Sequence, residues 1–319
     1  QFYNLPNDYS YALLTEKVLA QKDSSIHSSI KPYIHFYSDK YKHVADSYRV
    51  FRFITDDPFL DKVFFDHLIH IKSRDKKYIL TIDPLLNIES GRDAEDTLRR
   101  SLYTNTRGFI ASGYIGKDFY FESLLSENQS VFPNYIEATS RGNGIVPGQG
   151  RWKTFKTRGF DYAFSSGFFS YQICKKVNIQ AGHGKQKIGQ GYRSLLLSDN
   201  SFNYPYVRIT QQWFKGRLQY TNIYASLMNL VKSSEKAIPN TERLFQKKAA
   251  SFQHLSLNFT KWLNIGFFQG LIWRVGDKNN VQHFEWQYFN PIIFTNLASY
   301  GLNNRNNILI GGDLNLKIT

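Results

Sequence analysis

The chain has 319 residues, 42% of them hydrophobic and 21% charged, a balance that excludes a disordered or fibrous protein. Aromatic residues make up 16%, with 26 Phe and 21 Tyr against one Met, and that excess favours strands. Lys and Arg outnumber Asp and Glu by 40 to 26, a formal charge of +14 that calls for an anionic partner, while the lone Cys174 excludes an internal disulfide framework and a thiolate metal site.

No run of about 18 apolar residues occurs, so no helical membrane span is expected. A membrane β-barrel is not excluded by that, because its apolar residues alternate with polar ones. No charged-then-apolar leader precedes Gln1, and the strand pattern below favours a chain already processed by signal peptidase over a cytosolic one.

Residues 1–75 read as a helical and irregular N-terminal segment. Asp8 caps a short helix to Gln21 with Leu13, Leu14 and Val18 on one side. Asp57 and Pro58 open a second helix, in which Phe59, Leu60, Val63, Phe64 and Leu68 recur at helical spacing through Lys72. His67 and His70 stand three apart on it, but no third ligand accompanies them, so they read as exposed helix residues.

From residue 76 to 319 the period is two. Four hairpins follow one another, turning at Gly116-Lys117-Asp118, Lys175-Lys176, Lys215-Gly216 and Lys261-Trp262. The opposite strand ends are joined by long polar stretches, Glu127 to Gly159, Lys187 to Pro205 and Val231 to Lys248. Short turns on one side and long loops on the other are the pattern of an antiparallel outer-membrane β-barrel, and a soluble sandwich does not segregate loop lengths in this way. Arg208, Thr210 and Gln212 alternate with Val207, Ile209 and Trp213, which predicts a wet lumen and an apolar exterior, and Trp213, Phe214 and Trp262 sit by the short turns where an aromatic girdle belongs. About ten or eleven strand segments are countable before Thr319, so the barrel reads as the first part of a larger one.

Candidate sites follow from loop chemistry. The glycines of GHGKQKIGQG fit neither a dinucleotide fingerprint nor a phosphate loop. Residues 188–209 place Arg193, Ser198, Asp199, Asn200 and Asn203 among Tyr192, Tyr204 and other aromatics, a mixture suited to sugar rings or to a loop folded into the lumen as a plug. The run Leu195-Leu196-Leu197 predicts inward folding, because it is too apolar to stand in solvent. Arg141, Arg151, Lys153, Lys156 and Arg158 make the first long loop basic and able to attract uronate or phosphate. His183, His254 and His283, with Ser194, Ser198 and Ser201, form no motif for nucleophilic catalysis, so no catalytic residue, cofactor or metal ligand is assigned.

The stretches GHGKQKIGQGYRSLLLSDNSFNYPY, SRGNGIVPGQGRWKTFKTRGFDYAFSSGFFSY, VFFDHLIHIKSRDKKYILTIDPLLNIESGRD and FEWQYFNPIIF resemble outer-membrane proteins of the RemB type. That family is associated with gliding motility and is related to the Wzi-like capsule-assembly barrels. The resemblance covers most of residues 50–319, with a weaker match before that in SSIHSSIKPYI. It implies a large barrel of about eighteen strands, a periplasmic N-terminal portion and location in the outer membrane of a Gram-negative cell. The expected function is a non-enzymatic barrel that binds or organises anionic surface polysaccharide, or acts in adhesion and gliding. Its expected surroundings are outer-membrane lipid and lipopolysaccharide, with other outer-membrane proteins as partners and no nucleic acid. The alternatives are an accessory subunit of a larger secretion or insertion complex, and a passive porin.

Overall fold

A computed structural model describes residues 27–32, 66–75, 77–96, 101–233, 236, 239, 243–275, 286–295 and 306–317. Strands dominate them. Short β1 (Ile30–Lys31) and β2 (Ile69–Lys72) precede the long β3 (Tyr78–Arg92), β4 (Ser101–Ile115) and β5 (Phe119–Val131). The next connection holds helix α1 (Asn134–Asn143) and three short strands, β6 (Ile145–Val146), β7 (Gly150–Arg151) and β8 (Lys153–Phe155). β9 (Gly159–Cys174), β10 (Val177–Gly184) and the short β11 (Lys187–Ile188) follow. The chain continues through β12 (Tyr204–Trp213), β13 (Leu218–Lys232), β14 (Phe245–Asn258), β15 (Leu263–Arg274) and β16 (Asn307–Leu316).

The main sheet runs in the order β2-β3-β4-β5-β9-β10-β12-β13-β14-β15-β16, with β8 beside β9. It is an antiparallel, open sheet; among the described residues β2 and β16 each have a neighbour on one side. All four hairpins turn where the alternation breaks, as in Ile115↔Phe119 across Gly116–Asp118 and Trp213↔Leu218 across Lys215-Gly216. No helix among the described residues is long and apolar enough to cross a membrane.

Two expectations need correction. The predicted helix from Asp57 does not reach Lys72, because Ile69–Lys72 is strand β2, paired Ile69↔Ile82 through Lys72↔Ile79. Helical spacing of apolar residues is outweighed there by a free strand edge on β3. Asp66, His67 and Leu68, also expected in that helix, are not helical either; its residues 57–65 and the helix at Asp8–Gln21 lie outside the described residues. The long connection expected from Glu127 begins only after Val131, because residues 127–131 continue β5. Helix α1 forms in it, closed by Gly144 at φ 71° with its N–H on the Ser140 carbonyl, and Arg141 Nε lies 2.9 Å from Glu137 one turn earlier.

The described chain divides into two compact units, one containing His35–Tyr171 and Asn200–Asn203, the other Asn4–Ile34, Gln172–Asp199 and Tyr204–Thr319. The first has its apolar cluster where the connection after β5 packs on β9: Val146, Phe160 and Tyr162 are buried, with Phe132 and Trp152 against them. In the second, pairing places Arg208, Ile223, Thr210 and Thr221 on one face with His254 and Ser256. This face is buried although most of its residues are polar. The opposite face carries Val207, Leu255, Leu257, Phe267 and Leu314, of which Val207, Phe267 and Leu314 are exposed. The usual arrangement of a soluble sheet, apolar in and polar out, is reversed.

One part of that apolar face is covered. Residues 288–295, between β15 and β16, lie across it as a strap: Tyr224 donates to the Phe289 carbonyl at 3.0 Å, Gln253 to the Asn290 carbonyl at 2.5 Å, and the Phe294 N–H to Gln269 at 2.6 Å. Tyr220 also donates to the Pro291 carbonyl. Beneath it Asn222, Gln253 and Gln269 form one in-register row over three strands, 3%, 1% and 1% exposed.

Candidate functional site

The densest polar site lies on the buried face of the second unit, where residues 27–32 and the connection after β10 meet. Ile30 and Lys31 pair with Ile188 and Lys187, adding β1 to β11 as a small separate ladder. The Gly189 N–H extends it by donating to the Ser29 carbonyl at 2.7 Å. All of His27 to Lys31 is buried.

Side chains fix this segment to the sheet. The His27 Nε2–H donates to the Gly216 carbonyl at 2.8 Å while Nδ1 accepts from the Ser256 hydroxyl at 2.8 Å, so both ring nitrogens are used by a neutral imidazole. Burial pushes the His27 pKa down to about 4; the Gly216 bond opposes this and electrostatics from His254 add to it. Ser28 accepts from Gln190 at 2.8 Å and Asn315 at 2.6 Å, and Ser29 donates to Asp313. Arg208, 1% exposed, donates to the Pro32 carbonyl at 2.9 Å and Gln186 at 3.1 Å.

Ser29, Asp313 and His254 resemble a nucleophilic triad in composition alone. The carboxylate stands in the middle, accepting from Ser29 on one oxygen and lying 2.8 Å from His254 Nε2 with the other. Among the described residues no imidazole touches the serine hydroxyl, so this order is not that of a Ser-His-Asp triad. Among the described residues no group of three His, Cys, Asp or Glu side chains is placed to hold a metal ion. His67 Nδ1 lies 2.7 Å from Asp83, not in a ligand cluster with His70.

The connection from Lys187 to Asn203 is partly tied and partly free. Ile188 and Leu197 exchange backbone bonds of 2.9 and 3.3 Å, Lys187 Nζ reaches the Gly191 carbonyl at 2.8 Å, and Leu196 lies over Gly311 on the buried face. Ser198 and Asp199 are half-buried, while Tyr192, Arg193 and Asn200 are exposed, with the Arg193 guanidinium 5.6 Å from the Tyr192 ring centre. Leu195 is 95% exposed, against the expected covering of the leucine run, whereas Leu196 and Leu197 are half-buried. Asn203 and Tyr204 are buried: Asn203 donates to the Ser165 carbonyl at 2.6 Å, and the Gln186 N–H donates to the Tyr204 hydroxyl at 3.1 Å.

The five basic residues of the first unit divide as well. Arg141 is committed to Glu137 and the Arg158 carbonyl, with its guanidinium 4.9 Å from the Phe160 ring centre. Arg151, Lys153, Lys156 and Arg158 are exposed, and Lys156 Nζ lies 5.2 Å from the Phe155 ring centre. The side chains that sequence reading missed are His27, Ser28, Ser29 and Asp313. Their only advance signal was the polar string in SSIHSSIKPYI and a charge in the otherwise regular β16.

Comparison of the chain with family models, curated proteins and solved structures finds no match.

Proposed function

We propose that the chain forms a transmembrane antiparallel β-barrel of the outer membrane, or the first part of one, and that it is a non-enzymatic protein binding or organising anionic surface polysaccharide. The carrying observation is the reversed polarity of the second unit: Arg208, Thr210, Thr221, His254 and Ser256 are buried on one face while Val207, Phe267 and Leu314 stand exposed on the other. Water strips stability from a sheet arranged this way, whereas hydrocarbon suits it. Resemblance to the RemB-type and Wzi-like barrels points the same way, towards capsule assembly, adhesion or gliding motility. Exposed Arg151, Lys153, Lys156 and Arg158 would meet uronate or phosphate groups.

Fractionation of native cells tests the location: the protein should stay with the outer membrane through salt washing and need detergent for release. A protein that stays soluble without detergent overturns the barrel. Binding of the detergent-purified protein to native surface polysaccharide should weaken steadily as salt rises. Its absence overturns the polysaccharide reading.

A second reading, an accessory subunit of a larger outer-membrane complex, is favoured by the strap that lies over Gln253 and Gln269 and carries the exposed Phe289 and Ile292. Irregular backbone such as the strap's, laid over an apolar face, suits a protein neighbour better than lipid. Crosslinking in intact membranes decides it: a stoichiometric partner captured through this wall supports the reading, and a monomer opposes it.

A further inference from the structure

The connection after β5 roofs a polar cup in the first unit, and we propose that this cup is a preformed site for one or two uncharged sugar rings. The inference rests on the polysaccharide reading above and gives it a second, chemically different contact. Asn87, Glu89, Thr104, Thr106 and Asn128 form the floor, on three adjacent strands whose registers Asn87↔Thr106, Glu89↔Thr104 and Thr106↔Asn128 bring them together. Phe132, Ile136, Val146 and Gln149 form the roof, and the enclosed space is about 330 Å³. That is the lower end of the range for small-molecule sites, which begin at about 300 Å³.

The roof is rigid. Val146 is buried with Phe160 and Tyr162, the Trp152 indole N–H donates to the Ser140 carbonyl at 3.0 Å, and Arg141 clamps α1 to the Trp152 and Phe160 rings. A site held this way loses little entropy on binding.

The floor is only partly satisfied. Thr106 donates to Asn128 at 2.7 Å, and Asn128 in turn donates to the Tyr162 carbonyl at 3.2 Å, so these two are fixed. Glu89 accepts one bond, from Asn87 at 2.9 Å, which leaves its second oxygen open; the Gln149 side chain has no partner among the described residues. A carboxylate takes hydrogen bonds from neighbouring sugar hydroxyls, an amide both gives and takes them, and Phe132 supplies a flat apolar wall for the ring. Among the described residues Glu89 is the only carboxylate lining the cup, and its charge repels a uronate. The cup therefore selects hydroxyl-rich neutral units, whereas the exposed cations of the same connection select anionic ones.

The test uses the full chain in detergent on an array of neutral and uronate oligosaccharides, followed by titration with the strongest neutral binder. Neutral glycans should bind with affinity unchanged between about 0.05 and about 0.5 M salt, unlike charge-driven binding. Glu89→Gln should weaken the neutral binder about tenfold and raise the binding of uronates. Thr106→Phe, which fills the cup, should abolish neutral binding while native polysaccharide still binds through the basic residues. No neutral glycan bound, or neutral binding that both variants leave unchanged, overturns the cup even where native polysaccharide binds. Loss of native polysaccharide binding in the unsubstituted chain instead overturns the broader reading.

Discussion

His254 on β14 and Asp313 on β16 are separated by an entire strand, yet Nε2 and Oδ2 lie 2.8 Å apart. They meet over Gly266 of β15, which is in register with both Ser256 and Asp313. A Cβ on Gly266 would stand 2.2 Å from Asp313 Oδ2 and 2.7 Å from His254 Nε2, so the pair exists because that position has no side chain. Asp313 then passes the connection on to Ser29, and so to the buried segment 27–32.

Gly266→Ala should therefore destabilise the protein by about 1–3 kcal/mol, the usual cost of overpacking. It should also release residues 27–32, which hydrogen exchange at the Gly189 amide would read, since that amide donates to Ser29. Gly142→Ala is the control: nothing lies within 4 Å of a Cβ there. Equal stability of the two variants in denaturant unfolding would contradict the proposed role of Gly266.

Acid should loosen the same segment through His27. Its pKa is about 4 in the fold, chiefly from burial, against the ordinary histidine value of 6.5. Between those values the unfolded chain carries a proton that the folded chain does not, so stability rises with pH there. It is lost as pH falls from about 6.5 towards 4, by at most about 1.4 kcal/mol per pH unit, and levels off below, where both states are protonated. The other titratable side chains nearby are His254 and, bonded to it, Asp313. His27→Gln should flatten this part of the stability profile, because the amide can still donate to the Gly216 carbonyl but does not titrate. An unchanged profile in calorimetry would remove His27 as its cause.

The strap across the apolar face offers a third test. Four buried polar atoms beneath it, on Asn222, Ser251, Gln253 and Gln269, have no partner among the described residues. Gln269→Leu removes the acceptor of the Phe294 N–H, so exchange at that amide should rise severalfold, consistent with the loss of about 1 kcal/mol. The sheet should keep its stability within about 1 kcal/mol, because a leucine also removes an unsatisfied buried nitrogen. A large global loss would show that the strap is part of the sheet's core and not a cover over it.

Alternation and turn residues made the hairpins legible, since a period of two in FDYAFSSGFFSYQI and a break at Lys175-Lys176 leave little choice of register. The helical spacing fails from Asp66 onward because Leu68, Ile69 and Ile71 carry no sign of the partner that recruits them, strand β3. The polar site around residues 27–32 was illegible for a related reason. Ser29 and Asp313 are 284 residues apart, and six residues such as His27 to Pro32 are too few to show any period. Arg208 was placed on the wet face by alternation alone, but nothing local predicted that the Pro32 carbonyl would be its acceptor.

The tip after Gly189 gives the sharpest single-residue contrast. Leu195 and Leu196 are adjacent, yet Leu195 is 95% exposed while the Leu196 side chain lies where a Cβ on Gly311 would come within 2.4 Å of it. Leu195→Asp should cost less than about 0.5 kcal/mol, as at an ordinary surface position. Leu196→Asp places a carboxylate against the β16 backbone and should cost several times more, about 2 kcal/mol or above, unless it finds a partner. Ser194 reinforces the difference, since its hydroxyl accepts from the Leu196 N–H at 3.0 Å and donates to the Ile188 carbonyl, fixing which leucine turns inward. Limited proteolysis supplies the readout: Leu196→Asp should speed cleavage after the exposed Arg193 by freeing the tip from β16, and Leu195→Asp should leave the rate unchanged. Equal acceleration by both substitutions would mean that the tip is not held through Leu196.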